Sequence, residues 1–104
     1  MLTKEIYLLT NEFPRSELFG LSSQLKRAAV SVPTNIAEGS ARKSQKETIH
    51  FMYIALSSLK EVETLIIISN EIGLQKNIEP TMELIEKVGK NISGFIRHLK
   101  NSLH

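Results

Sequence analysis

Hydrophobic side chains recur every three or four residues along four segments of the chain, and this spacing predicts helices rather than strands. The predicted helices span residues 2–13, 20–39, 45–73 and 77–102. No alternating polar and apolar run with a hairpin turn stands out among them. Short connections between long amphipathic helices favour antiparallel neighbours. The pattern therefore predicts an all-α fold, an antiparallel up-down-up-down four-helix bundle in which residues 1–104 form a single domain.

Several residues with strong positional preferences mark the ends of these helices. Pro14 ends the first helix, because the residue before a proline avoids helical geometry. The second helix closes at Gly39, which near a helix end is a natural residue for the left-handed C′ position. Ser44 and Glu47 have the spacing of a capping box that starts the third helix. Asn77 is the expected N-cap of the fourth helix.

Two residues of the second helix do not fit a regular amphipathic helix. Pro33 lacks a backbone N–H and clashes with the carbonyl of Ala29, which costs roughly 3 kcal/mol in a regular helix, so we expect a bend that frees that carbonyl. Asn35 lies at the edge of the apolar stripe and needs hydrogen-bond partners, which the pattern leaves open. Glu38 stands four residues before Arg42 and can pair with it if the helix continues that far.

The third helix is more hydrophobic than a single buried stripe requires. It is apolar on every side around residues 65–68, and a second apolar strip earlier in the helix lies about 100° from the first. A four-helix bundle of this size cannot bury every face of one helix, so the excess predicts contact with another subunit. The alternative, that loops and neighbouring helices cover this surface, stays open. The expected interface residues are Ile49, Tyr53, Leu56, Leu65, Ile67 and Ile68.

Composition excludes several classes of protein. The chain has no cysteine, so it can form neither a disulfide framework nor a thiolate metal site. The longest aliphatic run, residues 65–68, falls far short of the roughly 20 residues that a membrane span needs. The first residues lack the apolar region of a signal peptide. We therefore expect a cytoplasmic protein with no membrane partner.

Candidate catalytic and metal-binding residues are sparse. Glu47 and His50 have a Glu-x-x-His spacing, but di-metal carboxylate chemistry needs a second such pair on another helix, and the sequence has none. The sequence also has no nucleophile elbow and no glycine loop that could hold a phosphate. Glu83 and Glu86 each precede a lysine by four residues, which is typical of a solvated, salt-bridged face. We expect no catalytic residue, no metal, no cofactor and no enzymatic activity.

The net charge of +2 is unevenly distributed. Residues 21–46 carry five basic groups against Glu38 alone, whereas residues 47–74 carry Lys60 against four glutamates. These basic groups are candidates for weak binding to the phosphates of a nucleic acid. The binding is expected to be indifferent to base sequence, because most aromatic side chains occupy apparent core positions and are not expected to stack on bases. The candidates are Lys26, Arg27, Arg42, Lys43 and Lys46. A second-choice site lies on the fourth helix around Lys87, Lys90, Arg97 and Lys100.

Two blocks of the sequence, QLKRA starting at Gln24 and NIAEG starting at Asn35, resemble the bacterial 23S rRNA-intervening-sequence proteins. The second block includes Glu38 and Gly39 and follows Pro33. That family consists of four-helix bundles, and the resemblance implies a homopentameric ring. The family is similar to the accessory protein of diversity-generating retroelements, a basic pentamer that binds nucleic acid and partners a reverse transcriptase.

The basic groups, repeated in the ring that the resemblance implies, favour a non-enzymatic, oligomeric nucleic-acid-binding protein or ribonucleoprotein accessory factor. Its expected partners are copies of itself, RNA or DNA, and an unidentified protein. The alternative is a protein-interaction scaffold that binds no nucleic acid and whose charges only solvate the surface.

Overall fold

Four helices make up the described part of the chain. The computed structural model describes residues 2–11 and 20–102, and no strand occurs within these ranges. The all-α prediction with four helices is therefore confirmed, while the predicted helix end at Pro14 lies outside the described residues. The helices are α1 (Leu2–Thr10), α2 (Leu21–Ser40), α3 (Gln45–Glu71) and α4 (Glu79–Asn101).

The helices contact one another in a closed circuit around a common core. α1 packs on α2, α2 on α3 and α3 on α4, and α1 also contacts α4. Each helix contributes fully or almost fully buried aliphatic side chains, among them Ile6, Leu25, Ile66 and Ile85. Burying such a side chain stabilises the fold by about 1.5–3 kcal/mol. Because α1 has nine residues and α3 has 27, α1 covers only part of the bundle.

The starts of α3 and α4 are built differently. Ser44 is the N-cap of α3 as predicted, since its Oγ accepts a hydrogen bond from the backbone N–H of Glu47 at 3.1 Å. The predicted N-cap of α4 is wrong, because that position belongs to Ile78 rather than Asn77, and no side chain caps this helix. Glu79 in the first turn places a negative charge at the positive end of the helix dipole, which partly replaces a cap.

α3 ends with a glycine in the left-handed conformation, as many helices do. Gly73 has a φ of +83°, in the left-handed region where a side chain would be strained. The backbone N–H of Leu74 donates to the carbonyl of Ser69 at 2.9 Å, and that of Gly73 donates to the carbonyl of Asn70 at 3.1 Å. This pair of hydrogen bonds is a Schellman motif, and it satisfies carbonyls that the helix end would leave unpaired.

Gly39 does not end α2, so the prediction for this residue is wrong. The helix continues to Ser40, and Gly39 is buried within it. A Cβ atom at Gly39 would lie 2.7 Å from Cε of Met52 and 2.8 Å from Cβ of Phe51. The Thr48 hydroxyl donates to the Gly39 carbonyl at 2.9 Å. The position therefore requires glycine because α3 approaches α2 closely, and not because the backbone turns there.

α2 continues through Pro33, and α1 supplies the hydrogen-bond donor that the proline lacks. The Thr3 hydroxyl donates to the carbonyl of Ala29 at 3.2 Å, the carbonyl that an N–H at position 33 would otherwise reach. The side chain of one terminal helix thus compensates for a proline in its neighbour.

Asn35 has partners within its own helix. Its Nδ2 donates to the carbonyl of Ser31 at 2.8 Å and to the Ser31 hydroxyl at 3.0 Å. The Ser31 hydroxyl is in turn 2.7 Å from the hydroxyl of Ser58 on α3. The half-buried amide therefore joins a polar contact that connects α2 to α3.

The Thr3 contact leads to a double-mutant prediction. Thr3→Val is expected to lower the free energy of unfolding by about 1 kcal/mol, because it removes the donor from the Ala29 carbonyl. In a Pro33→Ala background the same substitution is expected to cost less, since the restored backbone N–H takes that carbonyl. Urea unfolding of the four proteins gives the coupling energy. An equal cost in both backgrounds would contradict this role of Thr3.

Candidate nucleic-acid interface

The five predicted phosphate-binding residues do not form one patch. Lys26 and Arg27 lie in the first half of α2, whereas the other three follow the end of that helix. At 1.5 Å per residue, Lys26 and Ser40 are about 20 Å apart along the helix axis. Lys26 is also held near α1, with its Nζ 5.2 Å from the centre of the Tyr7 ring. The basic cluster in the sequence is therefore two clusters in space.

The fold also brings basic residues of α4 beside Tyr53, in the first third of α3. Nζ of Lys100 donates a hydrogen bond to the Tyr53 hydroxyl at 2.6 Å. Arg97 and Lys100 both line a surface depression beside Tyr53. Tyr53 lies seven residues, or about 10 Å of helix, beyond Lys46. Three basic residues, Arg42, Lys43 and Lys46, lie in the α2–α3 loop and the first turn of α3, while Arg97 and Lys100 lie near the end of α4. We call these five residues together the basic end.

The members of the basic end differ in how firmly they are held. Nη2 of Arg42 lies 3.0 Å from Oε2 of Glu38, so the predicted pairing is confirmed. The Arg42 guanidinium also lies 4.6 Å from the centre of the Phe51 ring. Such an exposed ion pair contributes less than about 1 kcal/mol, but it cancels charge locally. Lys43 and Lys46 are exposed and form no ion pair with any described residue, so they are the basic groups best placed to meet a phosphate.

Charge differs between this surface and the rest of α3 and α4. The five residues of the basic end are close in sequence to only two acidic residues, Glu38 and Glu47. Residues 60–90 instead carry six glutamates against four lysines. One of those lysines, Lys90, lies 3.2 Å from Oε1 of Glu86, so this half of the second-choice site is partly neutralised. The surplus of positive charge makes the basic end the more attractive surface for a polyanion.

Aromatic side chains lie close to the basic residues. The sequence did not indicate this, because most aromatic residues occupied apparent core positions in the pattern. Tyr53 is 43% exposed, so it is not a core residue. Lys46, His50 and Tyr53 are spaced three or four residues apart and lie on one exposed face of α3. The rings of His50 and Phe51 meet edge to face, with centres 5.7 Å apart. The basic end thus combines cations with at least one accessible aromatic ring.

One protein-family model matches most of the chain, including most of the helices described above. The family model described as 23S rRNA-intervening sequence protein matches residues 1–94. The chain belongs to the 23S rRNA-intervening sequence protein family. A search of curated proteins found no match. Within this family member, the match includes Arg42, Lys43 and Lys46, whereas Arg97 and Lys100 lie beyond the matched residues.

The predicted subunit interface of this family member separates into buried and exposed residues. Ile49 and Leu65 are buried in the core of the chain itself, so they offer almost no surface to a partner. Leu56 is half-buried beside α4. Ile67 and Ile68 are each 40% exposed, and Tyr53 is exposed at the basic end. The predicted interface role of Ile49 and Leu65 is therefore corrected to a role in the core, because both lie on the face of α3 that packs against the other helices of the same chain.

The family member also has a groove of about 730 Å³ between α3 and α4. Leu59 and Ile85 contribute apolar surface to it, and charged residues such as Glu63 and Lys90 also line it.

Among residues 2–11 and 20–102, no three His, Asp or Glu side chains are grouped as metal ligands would be. No described helix combines the length and hydrophobicity that crossing a bilayer requires.

Proposed function

We propose that this family member is a non-enzymatic, oligomeric nucleic-acid-binding protein that serves as a ribonucleoprotein accessory factor. The observation that carries the proposal is the basic end, where Arg97 and Lys100 lie beside Tyr53 of α3, while three further basic residues lie just before and at the start of that helix. Contacts from Lys and Arg to phosphates release counterions, and they give affinity without sequence preference. A cytoplasmic location is part of the proposal, and the cysteine-free composition supports it.

The proposal includes a homopentamer related to the accessory protein of diversity-generating retroelements. The resemblance of the two sequence blocks on α2 supports this kinship. Exposed apolar side chains near the end of α3 support subunit contact, since Ile67 and Ile68 are each 40% exposed and Ile72 is 58% exposed. In a closed ring the fields of several basic ends would add, which strengthens attraction to a polyanion. Light scattering that shows only an 11.7 kDa species would contradict this part.

Binding is tested with a double substitution at the basic end, Lys43→Ala with Lys46→Ala. We expect weaker binding to unrelated RNA and DNA sequences alike, because phosphate contacts carry no sequence information. The slope of log affinity against log salt should become shallower by about 0.9 for each lost contact on duplex DNA. Fluorescence anisotropy with labelled oligonucleotides across a salt series measures both effects.

A matched control is the double substitution Lys26→Ala with Arg27→Ala. It removes the same charge from α2 at a distance of about 20 Å from the end of that helix. We expect a smaller loss of affinity and a nearly unchanged salt slope. Equal effects of the two double variants would show that net charge, and not the basic end, governs binding. Absence of binding by the unaltered protein at low salt would overturn the proposal and favour the scaffold alternative.

A further inference from the structure

Tyr53 is an exposed aromatic ring that is held in place by a cation. Its hydroxyl accepts the 2.6 Å hydrogen bond from Nζ of Lys100, and the same Nζ lies 5.1 Å from the ring centre. We propose that the basic end binds single-stranded nucleic acid, with a base stacked on Tyr53 and the adjoining phosphates on Lys46, Arg97 and Lys100. This inference rests on the proposed function and names its ligand class.

The surroundings of Tyr53 suit a base better than they suit a phosphate alone. A depression of about 310 Å³ adjoins the ring. Leu56 and Ile96 contribute apolar surface to it, while Arg97 and Lys100 contribute positive charge. A base presents a flat, largely apolar face, and it is attached to a negatively charged backbone. Apolar surface beside an aromatic ring, flanked by two cations, therefore complements one nucleotide unit.

Stacking on a protein ring requires a base with a free face. In a duplex both faces of an internal base are covered by its neighbours, whereas single-stranded bases can turn out and stack on aromatic side chains. Lys46 and His50 continue from Tyr53 along the same exposed face of α3, over about 10 Å. A flexible single strand can follow this face with its phosphates on the basic groups. The arrangement thus favours single strands over duplexes.

The chain contains a matched control for this site. Tyr7 is 42% exposed, and Nζ of Lys26 lies 5.2 Å from its ring centre, close to the 5.1 Å between Nζ of Lys100 and the ring centre of Tyr53. It belongs to α1, outside the basic end. If any exposed tyrosine with a nearby lysine sufficed, Tyr7 would bind a base equally well. Our inference requires that only Tyr53 respond to nucleic acid.

Tyrosine fluorescence provides a direct test, because the chain has no tryptophan and only two tyrosines. In a Tyr7→Phe variant, all tyrosine emission comes from Tyr53. We expect oligothymidylate at low salt to quench this emission, and a duplex with the same number of phosphates to quench it much less. In a Tyr53→Phe variant the emission comes from Tyr7, and it should stay unchanged. Quenching of Tyr7 alone would overturn the inference.

Affinity measurements distinguish two possible roles of Tyr53, which are stacking on a base and positioning Lys100. Tyr53→Leu is expected to weaken binding to the single strand by roughly five- to 150-fold while leaving duplex affinity nearly unchanged, since base–aromatic stacking has about that effect. Tyr53→Phe keeps the ring and should retain most of the single-strand affinity. Tyr7→Leu serves as the control and should change neither. Circular dichroism confirms that each variant keeps its helices.

The outcomes distinguish this inference from the proposed function. If Tyr53→Leu weakens single-strand and duplex binding equally, Tyr53 only positions Lys100 and the stacking inference is overturned. If the unaltered protein binds both ligands equally and Tyr53 emission is unaffected, the inference fails while nucleic-acid binding stands. If the unaltered protein binds neither ligand at low salt, the proposed function fails and the inference fails with it.

Discussion

Gly39→Ala is expected to lower the free energy of unfolding by about 1–2 kcal/mol, even though alanine is the better helix former. The added methyl group would lie 2.8 Å from Cβ of Phe51 and 3.3 Å from the carbonyl oxygen of Thr48. Both atoms are fixed to the backbone of α3, so they cannot rotate away as Cε of Met52 can. The two helices must then separate, and this movement also lengthens the hydrogen bond from the Thr48 hydroxyl to Gly39.

Gly94→Ala is the matched control within α4. The nearest atom to an added methyl group there is Nη2 of Arg97, at 4.0 Å, which is an ordinary contact. We expect this substitution to raise the free energy of unfolding by up to about 1 kcal/mol through helix propensity. Urea unfolding at one fixed protein concentration compares the two variants. Stabilisation by both substitutions would contradict the close packing of α2 on α3.

Ile66→Ala is expected to lower the free energy of unfolding by about 2–5 kcal/mol, the largest effect that we predict. Ile66 is fully buried, so the substitution removes apolar contacts and leaves a cavity that its neighbours fill only in part. Ile67 and Ile68 follow in sequence but are each 40% exposed. Ile67→Ala and Ile68→Ala are therefore expected to cost less than about 1 kcal/mol within the protomer.

These substitutions also separate protomer stability from assembly. In a homo-oligomer, Ile67→Asp with Ile68→Asp should reduce the mass measured by light scattering while circular dichroism still reports helices, because charge is costly in an apolar contact. The apparent stability of the unaltered protein should rise with its concentration. An unchanged mass in this double variant would exclude the end of α3 from any subunit interface. A small effect of Ile66→Ala would contradict the assignment of that residue to the core.

Much of the fold follows from local sequence signals. The three-to-four spacing of apolar residues predicted four helices, and the bounds of α2, α3 and α4 agree with the prediction to within about two residues. The Ser44 cap and the Glu38–Arg42 pair were also predictable, because each depends on residues three or four positions apart. Such interactions depend only on local backbone geometry at the ends of helices, which a pattern of residues encodes directly.

Features that depend on packing between helices could not be predicted in this way. The glycine at position 39 is needed because of the side chain of Phe51 on another helix, and the Ala29 carbonyl is satisfied by Thr3. The basic end likewise depends on the contact between Lys100 and Tyr53, 47 positions apart. A charge count along the sequence instead grouped residues that a long helix separates. Distance along the chain therefore did not describe how the basic residues are grouped in space, although it described the helices well.

The shortness of α1 has a consequence for how the bundle opens. A helix of nine residues is below the roughly 12–15 residues at which isolated helices become even marginally stable in water. Its backbone hydrogen bonds therefore persist only while Leu2, Ile6 and Leu9 stay packed on the other helices. Amide protons of α1 should exchange with solvent through local opening, whereas those in the middle of α3 should require unfolding of the whole domain. Each such opening would take the Thr3 hydroxyl away from the Ala29 carbonyl beside Pro33, and water would then replace it as the donor to that carbonyl.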